Sequence, residues 1–191
     1  MAFWTSARSE PKRTHRFILR FPDLQTPDGE FAYAEYLAKS VTKPSYTVGK
    51  TDHKFLGNTY YYPTSVTWNE VTATIVNSVS PDGNALLYSA LEQMGYLRPD
   101  IQEDVFLNNL PPSTPNKVAA LAALGVVQFD ELSGDGGTLG TWELNNAFIT
   151  NVTFGDLDYA TEDLLDINIQ LSYDWATYDI GPATRALANV Q

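Results

Sequence analysis

Strict alternation of apolar and polar residues near the C-terminus limits what this chain can fold into. In the stretch LLDINIQLSYDW, residues 164–175, every odd position from Leu165 to Trp175 is apolar. The even positions are polar and none is basic: Asp166, Asn168, Gln170, Ser172 and Asp174. A period of two places alternate side chains on opposite faces of a β-strand. We therefore predict a long strand with one buried and one polar face, without the lysines that usually protect an exposed edge.

Patterns typical of strands cover most of the remaining chain. Further strands are predicted in residues 15–21, 30–41, 65–79 and 125–132, and two long strands joined by an acidic turn in 141–175. In the strand 65–79, which is rich in Val, Thr and Ile, the residues Val71, Ala73 and Ile75 are expected to share a face. Residues 43–65 contain short extended pieces separated by glycines and a proline, which predicts a protruding hairpin. Residues 176–191 are expected to extend beyond the core, and residues 99–112 and 133–140 to form loops.

Two helices are predicted. The first follows Ser80 as N-cap, with Pro81 in the first turn and Gly95 as the C-terminal cap. Its apolar stripe is expected to face the core, and consists of Leu87, Ala90, Leu91 and Met94. The second, shorter helix lies in STPNKVAALAALG, with Ser113 or Thr114 as cap, Pro115 in an early position and Gly125 as stop.

Composition and charge exclude several classes of protein. Hydrophobic residues make up 43% of the 191 residues, which excludes wholesale disorder, and the absence of cysteine excludes disulfides and thiol sites. No apolar run is long enough to span a bilayer and no signal peptide is evident, so we expect a protein of a reducing compartment without membrane insertion. The first 20 residues carry a net charge of +4, whereas the whole chain carries −11. The acidic body should repel nucleic acid, and the basic arm is expected to dock on an acidic neighbour.

Catalytic and metal-binding patterns are weak. His15 and His53 are the only histidines, and neither has an acid nearby at ligand spacing. The stretch GDGG, residues 134–137, lacks the Lys-Ser/Thr of a phosphate-binding loop and is predicted to be a turn. The acids between 156 and 166 lack the order of a calcium loop. Exposed tyrosines and paired carboxylates leave two alternatives open, a carbohydrate-binding β-sandwich and a hydrolase that uses two carboxylates.

Several motifs, taken in order, resemble the tail tube proteins of contractile-tailed bacteriophages. They are HRFILRFP, AEYLAKSVTKPSYTVGK, YYPTSVTWNEVTATIVN and FITNVTFGDLDYATEDLLDINIQLSYDW. The resemblance covers residues 15–80 and 141–178. It implies a mainly β fold, a β-sandwich or partial barrel with one flanking α-helix and a shorter second helix. It also implies that strands of adjacent copies continue each other into a closed barrel when hexameric rings assemble and stack.

The domain boundaries and the site residues follow as expectations from this resemblance. We expect a basic arm at 1–14, a tail-tube β domain at 15–178 with an insertion at 96–140, and an extension at 179–191. The polar sides of two strands are candidates for lining the lumen: Glu70, Thr72 and Thr74, or Asp166, Asn168, Gln170, Ser172 and Asp174. The aromatic hairpin is the candidate contact between subunits or rings: Lys50, His53, Phe55, Tyr60, Tyr61 and Tyr62.

The resemblance further implies a structural virion protein without catalysis or cofactor. Its partners would be other copies of itself, the tail sheath protein, baseplate and tail terminator proteins, the tape measure protein, and double-stranded DNA that passes through without specific binding. The protein would be assembled in the host cytoplasm and located in the tail of the virion. A specialised ring at the baseplate or neck, or a tube protein of a secretion apparatus, is the close alternative.

Overall fold

A computed structural model gives the fold for residues 11–22, 24, 38–80, 82–96, 98, 114–160, 162–182 and 184. The described part of the chain is mainly β, with two four-stranded antiparallel sheets, a separate two-stranded hairpin and two helices. The fold class predicted from the sequence is confirmed, and the described strands do not close into a barrel within one copy.

The first sheet has the strand order β1–β6–β7–β10. Its strands are β1 (Phe17–Arg20), β6 (Val127–Leu132), β7 (Thr138–Asn145) and β10 (Trp175–Ile180). Leu19, Phe129 and Leu144 point inward and are 2% exposed or less. Strand β6 lies within the segment predicted to be an insertion, so part of that segment is a central strand of the sandwich.

The second sheet has the order β2–β5–β9–β8. Its strands are β2 (Ala38–Val41), β5 (Val71–Val76), β9 (Asp166–Ser172) and β8 (Phe148–Thr153). The alternation that predicted β9 is confirmed, because Ile167, Ile169 and Leu171 are all buried. Their cross-strand partners on β5 are Ile75, Ala73 and Val71, which share the buried face as predicted. The strand β9 lies between β5 and β8, which explains why it needs no edge-protecting lysines.

The two buried faces and the first helix form one core. Helix α1 (Gly83–Gln93) contributes Leu86, Leu87 and Ala90. Helix α2 (Lys117–Ala123) packs beside α1 and β8, where Met94, Ala120 and Ala123 form a small second cluster with Phe148. Each fully buried Leu or Ile in such a core stabilises the fold by about 1.5–3 kcal/mol.

The remaining strands, β3 (Ser45–Phe55) and β4 (Asn58–Asn69), pair only with each other. Leu56 and Gly57, both at positive φ, form the two-residue turn at the tip, the conformation that matches strand twist in tight hairpins. At 11 residues, β3 is about 36 Å long. Trp68 contacts Tyr46 on β3 and Tyr173 at the end of β9, so the base of the hairpin is anchored on the core and the tip is not.

Several predicted boundaries are wrong. The segment 65–79 is two strands, because the chain leaves the hairpin at Glu70 and enters the second sheet at Val71. The segment 141–175 contains β7, β8 and β9, and a tight turn at Asn146, with positive φ, separates the first two. Residues 176–180 belong to β10 instead of an extension, and β7 already begins at Thr138, inside the predicted loop.

The helix ends were only partly predicted. Asp82 is the N-cap of α1 instead of Ser80, since its carboxylate accepts from Asn84 N while the side chain of Asn77 accepts from Gly83 N. In the predicted stripe Leu91 is exposed, and Leu86 is buried in its place. Asn116 caps α2 instead of Thr114, because its side chain reaches Ala119 N. The stops at Gly95 and Gly125 are confirmed, and both have positive φ.

Other predicted features lie outside the described residues. They are the first-turn position of Pro81, the alternative cap Ser113, the loop at 99–112 and the strand residues 30–37.

Candidate assembly surfaces

The outer face of the second sheet brings the two predicted polar rows together. Thr72 lies opposite Gln170 and Thr74 opposite Asn168 in the register of β5 and β9. These side chains project away from the buried residues between them, because the side-chain period of a strand is two. Asn151 on β8 continues the row across Gln170. The sequence treated the β5 and β9 rows as alternatives, and the structure makes them one surface, here called the polar face.

Hydrogen bonds link the polar face across its strands. The Thr74 hydroxyl donates to Asn168 Oδ1 at 2.7 Å, and Gln170 Nε2 donates to the carboxylate of Glu70. Asp166 forms an ion pair with Lys39 of β2, which cancels its charge. Within the two predicted rows from Glu70 to Thr74 and from Asp166 to Ser172, the unpaired formal charge is therefore that of Glu70.

Helix α2 borders one end of the polar face. Asp174 lies beyond β9, where its carboxylate accepts from Lys117 Nζ of α2 at 2.6 Å and from Asn146 Nδ2 at 2.7 Å. Hydrogen bonds and the lysine charge lower the pKa of Asp174 below its ordinary value. Ser172 is half-buried and lies opposite Phe148, which packs against the small cluster beneath α2. Asp174 is thus engaged with the helix, whereas Asn168 and Thr72 are open to solvent.

The hairpin presents two different faces. His53 pairs with Tyr60 and Thr51 with Tyr62, so these side chains share one face with Phe55. The opposite face carries Lys50, Asp52, Lys54 and Tyr61, and Lys50 Nζ lies 4.8 Å from the centre of the Tyr61 ring. All six residues predicted for an interface are exposed, with Phe55 58% and Tyr62 54% exposed. We call the surface formed by His53, Phe55, Tyr60 and Tyr62 the aromatic face.

A buried carboxylate connects three parts of the molecule. Glu131 of β6 forms ion pairs with Lys12 of the N-terminal arm and with Lys43, which precedes the hairpin. Burial would raise the pKa of Glu131, but hydrogen bonds and charge from the two lysines outweigh this effect and lower it. The Tyr178 hydroxyl accepts from Lys12 Nζ at 2.9 Å. The expectation that the basic arm docks on an acidic group thus fits the contact of Lys12, the part of the arm that the structure describes.

Side chains suited to catalysis or metal binding are dispersed. His15 and His53 lie on the arm and the hairpin, respectively. Among the described residues, no group of three or more His, Asp or Glu side chains is close enough to hold a metal ion. No helix in the described ranges has the length and apolar character needed to cross a membrane.

Comparison with solved structures identifies the fold as one found in contractile injection systems. A chain of the anti-feeding prophage cap, the tube-terminating cap of that particle, matches over 94% of this chain and 99% of its own length, with 17% identity and a TM-score of 0.61. A chain of the sheath–tube complex of the extracellular contractile injection system PVC matches over 89% of this chain and 92% of its own, with 17% identity and a TM-score of 0.56. A chain of the anti-feeding prophage baseplate gives 16% identity and a TM-score of 0.55, over 89% of this chain and 96% of its own.

No protein-family model matches the sequence, and no curated protein is significantly similar to it. The likeness to the solved structures extends over almost the whole chain, so it includes the hairpin and both sheets. The resemblance to a tube family that the motifs indicated is thereby confirmed at the level of the fold.

Proposed function

We propose that this chain is a structural protein that assembles into stacked hexameric rings and forms the inner tail tube within a contractile sheath. It has no catalytic role and needs no cofactor. The observation that carries the proposal is the second sheet, which has a buried inner face, a weakly charged polar outer face and two outer strands whose far edges no other described strand pairs with. Such a sheet is completed by neighbouring copies.

Ring closure follows from the edges of this sheet. Unpaired N–H and C=O groups along a strand edge are a template for pairing with another chain. If β2 of one copy pairs with β8 of the next, each contact is head-to-tail, and head-to-tail contacts close into rings when the rotation permits. Barrels of about 16 to 18 strands already enclose an aqueous channel, so six four-stranded sheets would enclose a wider one.

The polar face would line that channel. DNA binds basic walls because each neutralised phosphate releases counterions and adds affinity. A lining of Thr72, Thr74, Asn168 and Gln170 can be wetted but offers no such attraction. The charge of Glu70 is mildly repulsive, and its field is screened over about 8 Å at physiological salt. This surface suits a conduit through which double-stranded DNA and a tape measure protein pass without being held.

The hairpin would join copies to one another. A two-stranded hairpin is marginally stable on its own. Its aromatic face is exposed to solvent in the single copy, and such apolar surface marks sites of protein–protein contact. We assign Phe55, Tyr60 and Tyr62 to a contact with a neighbouring subunit or ring, together with His53, Lys50 and Tyr61. The outer surface of the tube would then contact the sheath, and its ends the baseplate and the tail terminator.

A tube or terminal ring of an injection device is the second candidate. Similarity to chains from an extracellular contractile injection system and from an anti-feeding prophage cap favours it. Both candidates share the assembly and differ in what passes through the bore. Purified native particles distinguish them, since a phage tail on a filled capsid protects DNA from nuclease and an injection device does not.

Negative-stain electron microscopy of the purified protein tests the shared proposal. We expect rings or hollow filaments of uniform bore. A variant with Asn151→Pro and Thr153→Pro on β8 should remain monomeric, because proline removes the N–H groups needed for edge pairing. A matched variant, Thr177→Pro and Asp179→Pro on the edge strand β10, should still form rings. Wild-type protein that stays monomeric at high concentration would overturn the proposal.

A further inference from the structure

A cavity opens between the edges of the two sheets, at β1 and β2. Its volume is about 350 Å³. The floor is apolar and consists of Phe17, Val41, Phe129 and Leu132. Phe129 is a buried core residue, so the floor continues into the core of the sandwich.

The rim of this cavity is cationic, in a chain whose net charge is −11. Five basic side chains line it: Lys12, Arg13, Arg16, Lys39 and Lys43. The one acid among the lining residues is Glu131, whose carboxylate is held between Lys12 and Lys43. The cavity therefore combines an excess of positive charge with an apolar floor, which suits an occupant that is acidic and carries an apolar side chain.

The loop between β8 and β9, residues 154–165, has that composition. Its acids are exposed and form no ion pair with any described residue: Asp156, Asp158, Glu162 and Asp163. Between them, Leu157 is 89% exposed and Tyr159 has no burial at all. Large apolar side chains without cover on a charged loop are a feature of protein–protein contact sites.

We propose that this acidic loop of one copy inserts into the cationic cavity of a neighbouring copy, with Leu157 and Tyr159 on the apolar floor and the four carboxylates facing the basic rim. The inference rests on the proposed ring assembly and specifies one of its contacts. The loop and the cavity are different surfaces of the same chain, so the contact is head-to-tail and repeats around a ring or along a stack. Complementary charge would fix the register of the neighbouring copies and accelerate their association.

Charge exchange tests the pairing. Arg13→Glu on the rim and Asp158→Arg on the loop should each raise the concentration at which rings form by at least about tenfold, because each places like charges in contact. The double variant should recover most of that loss, since it restores opposite charges at every contact. Glu92→Arg on α1 makes the same change of charge as Asp158→Arg elsewhere on the surface, and should not affect assembly. Equal losses in the double variant and the singles would overturn the pairing.

Disulfide crosslinking tests proximity without altering the charge pattern of the rim. The chain has no cysteine, so Thr14→Cys at the cavity and Asp158→Cys on the loop introduce unique thiols. Mixed rings of the two single variants should give a crosslinked dimer, which requires Cα atoms within about 7 Å. Thr177→Cys on β10, mixed with Asp158→Cys, should not. A link within monomers of the double variant would show that the loop covers its own cavity, and would overturn the inference.

Failure of the inference can be distinguished from failure of the ring proposal. Intact rings without the crosslink, or with another segment of the chain in the cavity, would overturn the loop contact alone. Wild-type protein without rings would overturn both.

Discussion

At the scale of single residues, Glu131 is the side chain on which most distant parts of the chain meet. Its carboxylate is bound by Lys12 and Lys43, while the Tyr178 hydroxyl lies 3.5 Å away. Tyr178 reaches this point only because residue 140 is glycine, since a Cβ there would lie 2.0 Å from the tyrosine oxygen. Glu131 thereby connects the arm, the strand β6 and the base of the hairpin.

Substitution of Glu131 by glutamine should destabilise the protein by about 1–2 kcal/mol at neutral pH, the typical contribution of hydrogen bonds to charged groups. Because the pKa of Glu131 is lowered by folding, its stabilising effect is present above the pKa of the unfolded chain, about 4.3, and is lost as the pH falls through the folded value. Urea unfolding at several pH values measures the difference between wild type and Glu131→Gln. A difference that grows below pH 4 would contradict the assignment.

At the scale of elements, local sequence patterns predicted what depends on neighbours in sequence. The alternation around Ile167 and Ile169 and the glycine stops of both helices are such features. The break at Glu70 was missed, because the run of Val and Thr on either side has uniform strand propensity. Only tertiary pairing separates Val66 in the hairpin from Val71 in the sheet.

The polar rows of the candidate site show the same limit. Each row could be found from its own period of two, but whether Thr74 lies beside Asn168 depends on pairing between residues that are 94 positions apart. The cationic cavity was not predicted at all, since its lining comes from β1, β2 and β6 together. The excess of basic residues in the first 20 positions was the one signal that pointed towards it.

The hairpin permits a test at this scale. Tyr60→Ser with Tyr62→Ser removes the centre of the aromatic face, which is exposed in the single copy. Thermal unfolding of the monomer should change by less than about 0.5 kcal/mol per site, as for other surface substitutions. Ring or filament formation, followed by light scattering, should be strongly reduced because hot spots of interfaces are often aromatic.

Lys54→Ser with Thr59→Ser is the matched control for this test. It alters the opposite face of the hairpin at the same distance from the tip, and it should assemble like wild type. If both double variants assembled normally, the hairpin would not be the contact between copies.

At the scale of the whole molecule, the two sheets differ in the outer surfaces that they offer. The first sheet carries charged groups on its outer side, where Arg20 and Asp130 form an ion pair at 2.8 Å and Gln128 donates to Glu143 at 2.8 Å. The second sheet carries mainly hydroxyls and amides. This difference gives the assembled protein a charged exterior and a lining of low charge if the second sheet faces the bore.

Thiol labelling of assembled tubes tests which sheet faces the bore. Thr72→Cys on the polar face should react with a small maleimide but be protected from a maleimide conjugate wider than the bore. Thr177→Cys on β10 should react with both reagents. In unassembled protein, both cysteines should react equally with either reagent. Full reaction of Thr72→Cys with the large conjugate in intact tubes would place the polar face outside.

The central claim is that neighbouring copies complete one another's second sheet around a bore. A cryo-electron microscopy map of the assembled protein tests it most directly, because strand pairing between subunits is visible at side-chain resolution. The account predicts rings in which β2 of one copy pairs with β8 of the next and Thr72, Thr74, Asn168 and Gln170 point into the channel. Rings joined through other surfaces, with β2 and β8 unpaired or with this face turned outward, would contradict it.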